Sequence, residues 1–226
     1  MKAKAHVTVF GSVRTATDDP HYQLARQMGG AIARLGFTVM TGGGPDIMEA
    51  ANRGAKDAGG RSVACNIELP FEQKPIPYLD RAVTMHYFFV RKVLLPRYGY
   101  AFVVLPGGAG TMDEFFEAFT LVQTGKVQRF PVIFLGREYW SPLLNILERM
   151  KDAGTLSPAD LDLIFVTDSI ADAAAHLPTK AILPFELKRI LRRHLRWLGE
   201  CAVCPTTPDR LRKGQAATLE TQLPTA

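Results

Sequence analysis

The sequence predicts an α/β fold, a doubly wound parallel sheet with helices on both faces. Three observations carry that expectation. Apolar runs of strand length alternate with longer segments of helical periodicity from Val7 to Leu177. Three glycine-bearing turns, Gly11-Ser12, Gly42-Gly43-Gly44 and Gly107-Gly108-Ala109-Gly110, each follow an apolar run. Strands joined through helices run parallel, and right-handed crossovers bring all the turns after the strands to one edge. Ligands of such sheets bind at the carboxyl ends of the strands.

The elements follow in order. Val7–Phe10 reads as a buried first strand. Between Tyr22 and Leu35, apolar residues at Leu24, Met28, Ala31, Ile32 and Leu35 share one helix face, and Gly36 supplies a stop. Phe37–Met40 is the second strand, followed by the triple-glycine turn and a helix to about Asp57. Ser62–Ile67 is a third strand and Ala82–Met85 a short extended piece. Tyr87–Leu95 reads as a helix that Pro96 ends. Ala101–Leu105 is the most apolar strand, and Thr111–Gln123 a strong helix after its turn. Val132–Leu135, a helix at Tyr139–Asp152, Leu163–Val166 and a helix at Ile170–Leu177 complete the pattern.

The chain has 226 residues, 47% hydrophobic and 22% charged, enough for one full core. Its net charge of +5 is unevenly placed: nine of 27 basic and four of 22 acidic residues fall in 180–226, leaving eighteen of each in 1–179. The high basicity therefore does not describe a nucleic-acid-binding body. We expect a domain over 1–179 and, over 180–226, a basic amphipathic helix (Phe185–Gly199) with a polar, flexible extension. That helix packs on the body or a dimer; the alternative is binding to anionic lipid or nucleic acid. Three cysteines, Cys65, Cys201 and Cys204, do not look like a disulfide framework. The N-terminus reads as a first strand rather than a signal peptide, and no run of about 18 apolar residues suggests a membrane span. The expected location is the cytoplasm.

Glycine lets backbone amides approach an anion, and a helix starting at Gly110 or Thr111 would aim free N–H groups and its positive dipole end at the same spot. The Thr111 hydroxyl adds a donor. The first turn lacks the dinucleotide fingerprint, and no Gly-Lys-Ser/Thr follows the Pro106–Thr111 turn, which excludes an ordinary NAD site and a P-loop. One helix N-terminus offsets about half a charge, so a monophosphate fits best. Asp113, Glu114 and Glu117 follow in the first two helical turns, where carboxylates also suit the helix dipole. Glu114 is three residues beyond Thr111 and so turned toward the same crevice. Arg91-Lys92 sits in an aromatic-rich helix; it reads either as a solvated edge or as a ligand for phosphate or ribose oxygens. His86 reads as a helix-start or core histidine before it reads as a base. No histidine spacing suggests zinc, and Cys201-Ala202-Val203-Cys204 has no second pair. No metal or cofactor is expected.

The run Pro106-Gly107-Gly108-Ala109-Gly110-Thr111-Met112-Asp113-Glu114 matches the PGGxGTxxE signature of the LONELY GUY (LOG) family of cytokinin riboside 5′-monophosphate phosphoribohydrolases, formerly labelled lysine decarboxylases. Thr41–Pro45 with Ile47–Asn52 resembles the family's second glycine-rich block, Phe10-Gly11-Ser12 the first, and Met85-His86 through Arg91-Lys92 the arginine segment. The resemblance covers roughly residues 5–178 and resembles bacterial members. It implies a Rossmann-like homodimer that hydrolyses the N-glycosidic bond of a purine or cytokinin nucleoside 5′-monophosphate, giving free base and ribose 5-phosphate. By position, Arg91 and Glu114 are the catalytic pair, and Gly107, Gly108, Gly110 and Thr111 hold the phosphate. Gly11, Ser12, Gly43, Gly44, Met85, Lys92, Pro106 and Glu117 complete the implied substrate site. No lysine lies in a recognisable pyridoxal-phosphate setting. The chain departs from the pattern at Asp46, where many relatives have glycine, and in the apolar Tyr87-Phe88-Phe89-Val90 before Arg91. The alternative is a non-catalytic nucleotide-binding or molybdenum-cofactor carrier protein of similar fold, which has no need of the Arg91–Glu114 pair.

Overall fold

The computed structural model describes residues 5–69, 76–127 and 130–179. The basic helix and the Cys201–Cys204 pair expected in 180–226 lie outside the described residues. Among the described residues, seven strands form a single parallel sheet: β1 (His6–Phe10), β2 (Thr38–Thr41), β3 (Arg61–Ile67), β4 (Arg81–Met85), β5 (Gly99–Val104), β6 (Val132–Leu135) and β7 (Ile164–Thr167). Between and after them run α1 (Pro20–Arg34), α2 (Ile47–Asp57), α3 (Phe88–Tyr98), α4 (Ala109–Gln123), α5 (Arg137–Asp152), the short α6 (Pro158–Leu161) and α7 (Ile170–Leu177).

The strand order is β4-β3-β2-β1-β5-β6-β7. The winding reverses between β1 and β5, which pair in parallel with Val7 opposite Ala101 and Phe10 opposite Val104. Connections leave neighbouring strands in opposite directions there, so a crevice opens at their carboxyl ends. The Gly11-Ser12 and Pro106–Thr111 turns are the two lips of that crevice.

Strands buried on both faces read as continuous apolar runs, and β6, Val-Ile-Phe-Leu, is buried throughout. Two apolar layers result. One gathers Val7, Val9, Tyr22, Met28, Ile32, Val39 and Ile47 under α1, α2 and α7. The other gathers Phe10, Phe102, Phe115, Phe119, Phe134 and Trp140 under α3, α4 and α5. Phe115 is 1% exposed and packs edge-on to Phe134, whose ring meets Trp140. Removing such a ring costs about 3–5 kcal/mol, so the second layer fixes the helix that follows the glycine-rich turn. The helix α1 buries more than its predicted stripe because it packs against α2 as well as the sheet. A methyl group at Gly29 would lie 2.0 Å from the Ala51 carbonyl oxygen, so the two helices touch backbone to backbone.

Beyond shifts of one or two residues at element ends, the structure departs from expectation in two places. The helix α3 continues through Pro96 to Tyr98 instead of stopping there. Pro96 removes the amide that would bond the Lys92 carbonyl and crowds it, and the helix runs only two residues further, with Leu95 and Pro96 buried. The four-residue α6 has no apolar periodicity to announce it. It rests on a capping box in which the Ser157 hydroxyl accepts from the Asp160 amide and the Asp160 carboxylate accepts from Ser157.

Candidate functional site

The strand β5 ends in the turn Pro106–Gly108, and α4 starts at Ala109 with Gly108 as its N-cap. Gly108 has no side chain to cap the helix, and α4 carries no acidic residue in its first turn. The amides of Ala109 and Gly110 have no carbonyl four residues back inside the helix. Nothing lies within 4 Å of where a Cβ would stand at Gly108 or Gly110, so this helix start faces open space. Gly107 is different. A Cβ there would fall 2.2 Å from Thr111 Oγ1 and 2.9 Å from the Ser12 amide nitrogen, so only glycine lets the turn close over Thr111 and against the first turn. Thr111 is 6% exposed beneath it.

The lips of the crevice are tied together. The Ser12 amide donates to the Pro106 carbonyl at 3.0 Å, and the Ile47 amide donates to the Ser12 carbonyl at 3.3 Å. Gly11 admits the Ile47 side chain, whose Cγ2 would stand 2.1 Å from a Cβ at that position. The Ser12 hydroxyl accepts from the Arg14 amide at 2.9 Å. In the second turn Gly43 takes φ +73, and its amide donates to Thr41 Oγ1 at 3.0 Å. Gly44 packs against Met48 and Val13. Thr41 Oγ1 in turn donates to Asn52 Oδ1 at 2.8 Å, and Asn52 Nδ2 donates to Ser62 Oγ at 2.7 Å. This relay is buried, and it braces the turn from within. Asp46 has φ +60 and ψ −110, and is the one non-glycine residue with positive φ among those described. A backbone of that kind costs about 1–3 kcal/mol for a residue with a Cβ.

The helix α3 brings Arg91 over the crevice. Arg91 Nη2 donates to Glu114 Oε1 at 2.6 Å, with the two side chains 15% and 6% exposed. The Phe88 ring flanks the guanidinium, 5.3 Å from Cζ to the ring centre. Burial pushes the Glu114 carboxyl above the ordinary carboxylate range; the charge and hydrogen bond of Arg91, then Lys92, oppose that rise without cancelling it. Lys92 Nζ lies 2.7 Å from Asp113 Oδ1 and 3.1 Å from Glu117 Oε2, so α3 is locked onto α4 at two successive residues. Burial pulls the Lys92 ammonium downward, but the two carboxylates more than offset it and its pKa is raised.

Each residue singled out in the sequence can now be located. Gly11, Ser12, Gly43, Gly44, Pro106, Gly107, Gly108, Gly110 and Thr111 all lie on the carboxyl edge of the sheet, with Arg91 and Glu114 beside them. The structure places Lys92 on Asp113 and Glu117. Met85 ends β4 and packs against the second apolar layer. His86 is exposed and pairs with Glu68 through Nδ1 at 2.9 Å. Sequence reasoning gave no role to Asn52 or Tyr139. The Tyr139 hydroxyl donates to the Gly107 carbonyl at 2.9 Å and so holds the turn from the β6 side. A buried asparagine within a helix just after a glycine-rich turn is a usable signal; nothing local marks Tyr139.

The arrangement does not fit pyridoxal phosphate. A Schiff-base lysine needs its pKa lowered, whereas the lysine at this site has it raised by two carboxylates. What the site can do is hold an anion at the α4 N-terminus beside a buried carboxylate oriented by a guanidinium.

Compared with known proteins, residues 48–177 match the family described as "Possible lysine decarboxylase". A protein of Rhodococcoides fascians named cytokinin riboside 5′-monophosphate phosphoribohydrolase is 33% identical over 75% of this chain and 87% of its own length. One of the same name from Mycobacterium tuberculosis is 31% identical over 67% of this chain and 82% of its own. The molybdenum cofactor carrier protein of Chlamydomonas reinhardtii superposes with a TM-score of 0.57 at 23% identity, covering 78% of this chain and 97% of that one. At that identity it shares the fold.

Proposed function

The chain belongs to the LONELY GUY (LOG) family, and on that premise we propose that it hydrolyses the N-glycosidic bond of a nucleoside 5′-monophosphate, releasing the free base and ribose 5-phosphate. The observation that carries this reading is the buried Arg91–Glu114 pair set beside an uncapped helix N-terminus. A carrier needs the anion cradle only. A glycosidic hydrolase needs a carboxylate next to the anomeric carbon as well.

The 5′-phosphate sits at the Gly107–Thr111 turn, where the α4 dipole and first-turn amides meet it. Departure of the base breaks the C1′–N bond and leaves positive charge on the ribose ring. Glu114 stabilises that charge and takes a proton from the water that attacks C1′. Its raised pKa brings its basicity closer to working pH than an ordinary glutamate's. Arg91 holds the carboxylate in one orientation and offers its remaining N–H groups to ribose or phosphate oxygens. The departing base takes a proton from solvent, and Glu114 returns to solvent the proton it took from the attacking water, so the net reaction adds one water. Holding the phosphate and the anomeric carbon in register supplies up to about 7–11 kcal/mol of barrier reduction.

The family resemblance and the names of its relatives make AMP and cytokinin ribotides the first substrates to try. The family resemblance also suggests a homodimer, and exposed apolar side chains support that reading. Val83, Phe88, Phe89, Val93 and Tyr98 on β4 and α3 are each between 45% and 66% exposed, an amount of exposed apolar side chain that a partner would cover. Incubation with a panel of nucleoside 5′-monophosphates, with chromatography of base and ribose 5-phosphate, tests the reaction. Binding of nucleotides without release of any base would leave a carrier as the better description.

A further inference from the structure

The strained Asp46 has a partner that accounts for it. An aspartate at a helix N-cap ordinarily accepts from amides of its own helix. Asp46 stands at the N-cap of α2 and makes no such bond. Its left-handed backbone turns the carboxylate the other way, and Oδ2 accepts from the Thr15 amide at 3.2 Å, across 31 residues of sequence. Thr15 lies in the loop that joins β1 to α1, where the Arg14 amide also donates to Ser12 Oγ at 2.9 Å and the Gln23 side-chain amide to the Thr17 carbonyl at 3.3 Å. The Ser12 amide is bonded to Pro106 and the Ser12 carbonyl to Ile47. Beyond Ser12 the loop carries Val13 and Arg14, both exposed. Val13 rests against Gly44, in the same turn as Asp46. Asp46 and Ile47 thus grip the loop at Thr15 and Ser12, on either side of an exposed arginine, at the lip of the crevice.

We propose that Asp46 is a positioning residue, whose hydrogen bond to the Thr15 amide holds the Val13–Thr15 segment, and with it Arg14, at the mouth of the β1–β5 crevice, so that the loop meets the substrate phosphate already ordered. The proposal rests on the assignment of that crevice to a nucleotide phosphate. Asparagine keeps an acceptor oxygen where the carboxylate has one. Glycine suits the backbone conformation and removes the acceptor. The asparagine variant therefore separates the hydrogen bond from the charge.

The test compares the wild-type protein with Asp46→Gly and Asp46→Asn in two measurements. The first is the rate of trypsin cleavage after Arg14, which needs no turnover. The second is the division of any effect between KM and kcat with AMP. Asp46→Gly is expected to speed cleavage after Arg14 and to raise KM by about 3- to 10-fold, the range of one ordinary hydrogen bond, with kcat nearly unchanged. Asp46→Asn is expected to restore both values toward wild type. Cleavage and KM unchanged in Asp46→Gly overturn the proposal. So does an Asp46→Asn protein that behaves like Asp46→Gly, since charge would then be what matters. If the wild-type protein releases no base from any nucleotide, the functional reading fails, and the cleavage rates still decide whether Asp46 holds the loop.

Discussion

Arg91 Nη2 and Glu114 Oε1 stand 2.6 Å apart, 23 residues distant in sequence, joining α3 to α4 across the edge of the second apolar layer. Both side chains are largely out of water. A buried charge is tolerated when paired, and breaking such a pair by deleting one partner is costly. The pair is therefore a structural join as well as the proposed reaction centre, and substitutions must separate the two roles.

Glu114→Gln does so. The amide oxygen can still accept from Arg91, but it cannot take a proton from water. Base release from AMP is expected to fall by about 10²- to 10⁴-fold, with the thermal unfolding midpoint close to that of wild type. Retention of activity in a folded Glu114→Gln protein would remove Glu114 from the mechanism.

The pH dependence follows from the direction of the Glu114 shift. Burial raises its pKa, so the ionised form is lost at a pH above the ordinary glutamate value as the solution is acidified. The acid limb of kcat/KM should fall there. Arg91 opposes the rise, so Arg91→Met should carry that limb to still higher pH in whatever activity remains. A limb unmoved by Arg91→Met would show that another group controls it.

Tyr139→Phe removes one hydroxyl and leaves the ring. The turn at Gly107 loses its support from the β6 side, and KM for the nucleotide should rise by about 2- to 10-fold, the worth of one neutral hydrogen bond. Circular dichroism should be unchanged. An equal loss in kcat without change in KM would argue that Tyr139 contacts the reacting centre instead.

Asn52→Ala strips the middle of the Thr41–Asn52–Ser62 relay. Ser62 Oγ and Thr41 Oγ1 are left without that partner in a buried setting, at a cost of about 1–3 kcal/mol. Urea unfolding should show this as a lower midpoint with an unchanged slope.

Phe89 is 66% exposed on α3. Phe89→Glu puts a charge where a second copy would pack. Sedimentation should report half the wild-type mass if that face joins two copies. A Phe89→Glu protein of unchanged mass would move the interface elsewhere.

Most of the fold could be read from the chain because its signals are local. Apolar runs such as Val132–Leu135 have no polar face to confuse the period, and that strand and Ile170–Leu177 appear with the predicted bounds. The extent of α3 beyond Pro96 could not be read this way, since it depends on how Leu95 and Pro96 pack. The short α6 rests on two side-chain bonds rather than on a period. Within the site, the glycine turns and Glu114 are legible because a helix N-terminus is a local object. Tyr139 and Asn52 are not, because their roles are contacts to backbone or side chains 32 and 10 residues away.

What the sequence by itself determined is the kind of sheet and the position of its glycine-rich turns, and it singled out Arg91 and Glu114 as candidates beside them. Those follow from apolar period, from the conformational freedom of glycine and from the chemistry of carboxylate and guanidinium. Only the tertiary structure decided that β1 and β5 are neighbours, and so that two turns separated by some 95 residues form one crevice. It also decided that Arg91 meets Glu114, that Lys92 is held by Asp113 and Glu117, and that Asp46 reaches Thr15. The reason is physical. Spacing along a chain fixes which face of its own element a residue occupies, whereas pairing across elements depends on strand order and helix packing, which are set by burial of the whole core.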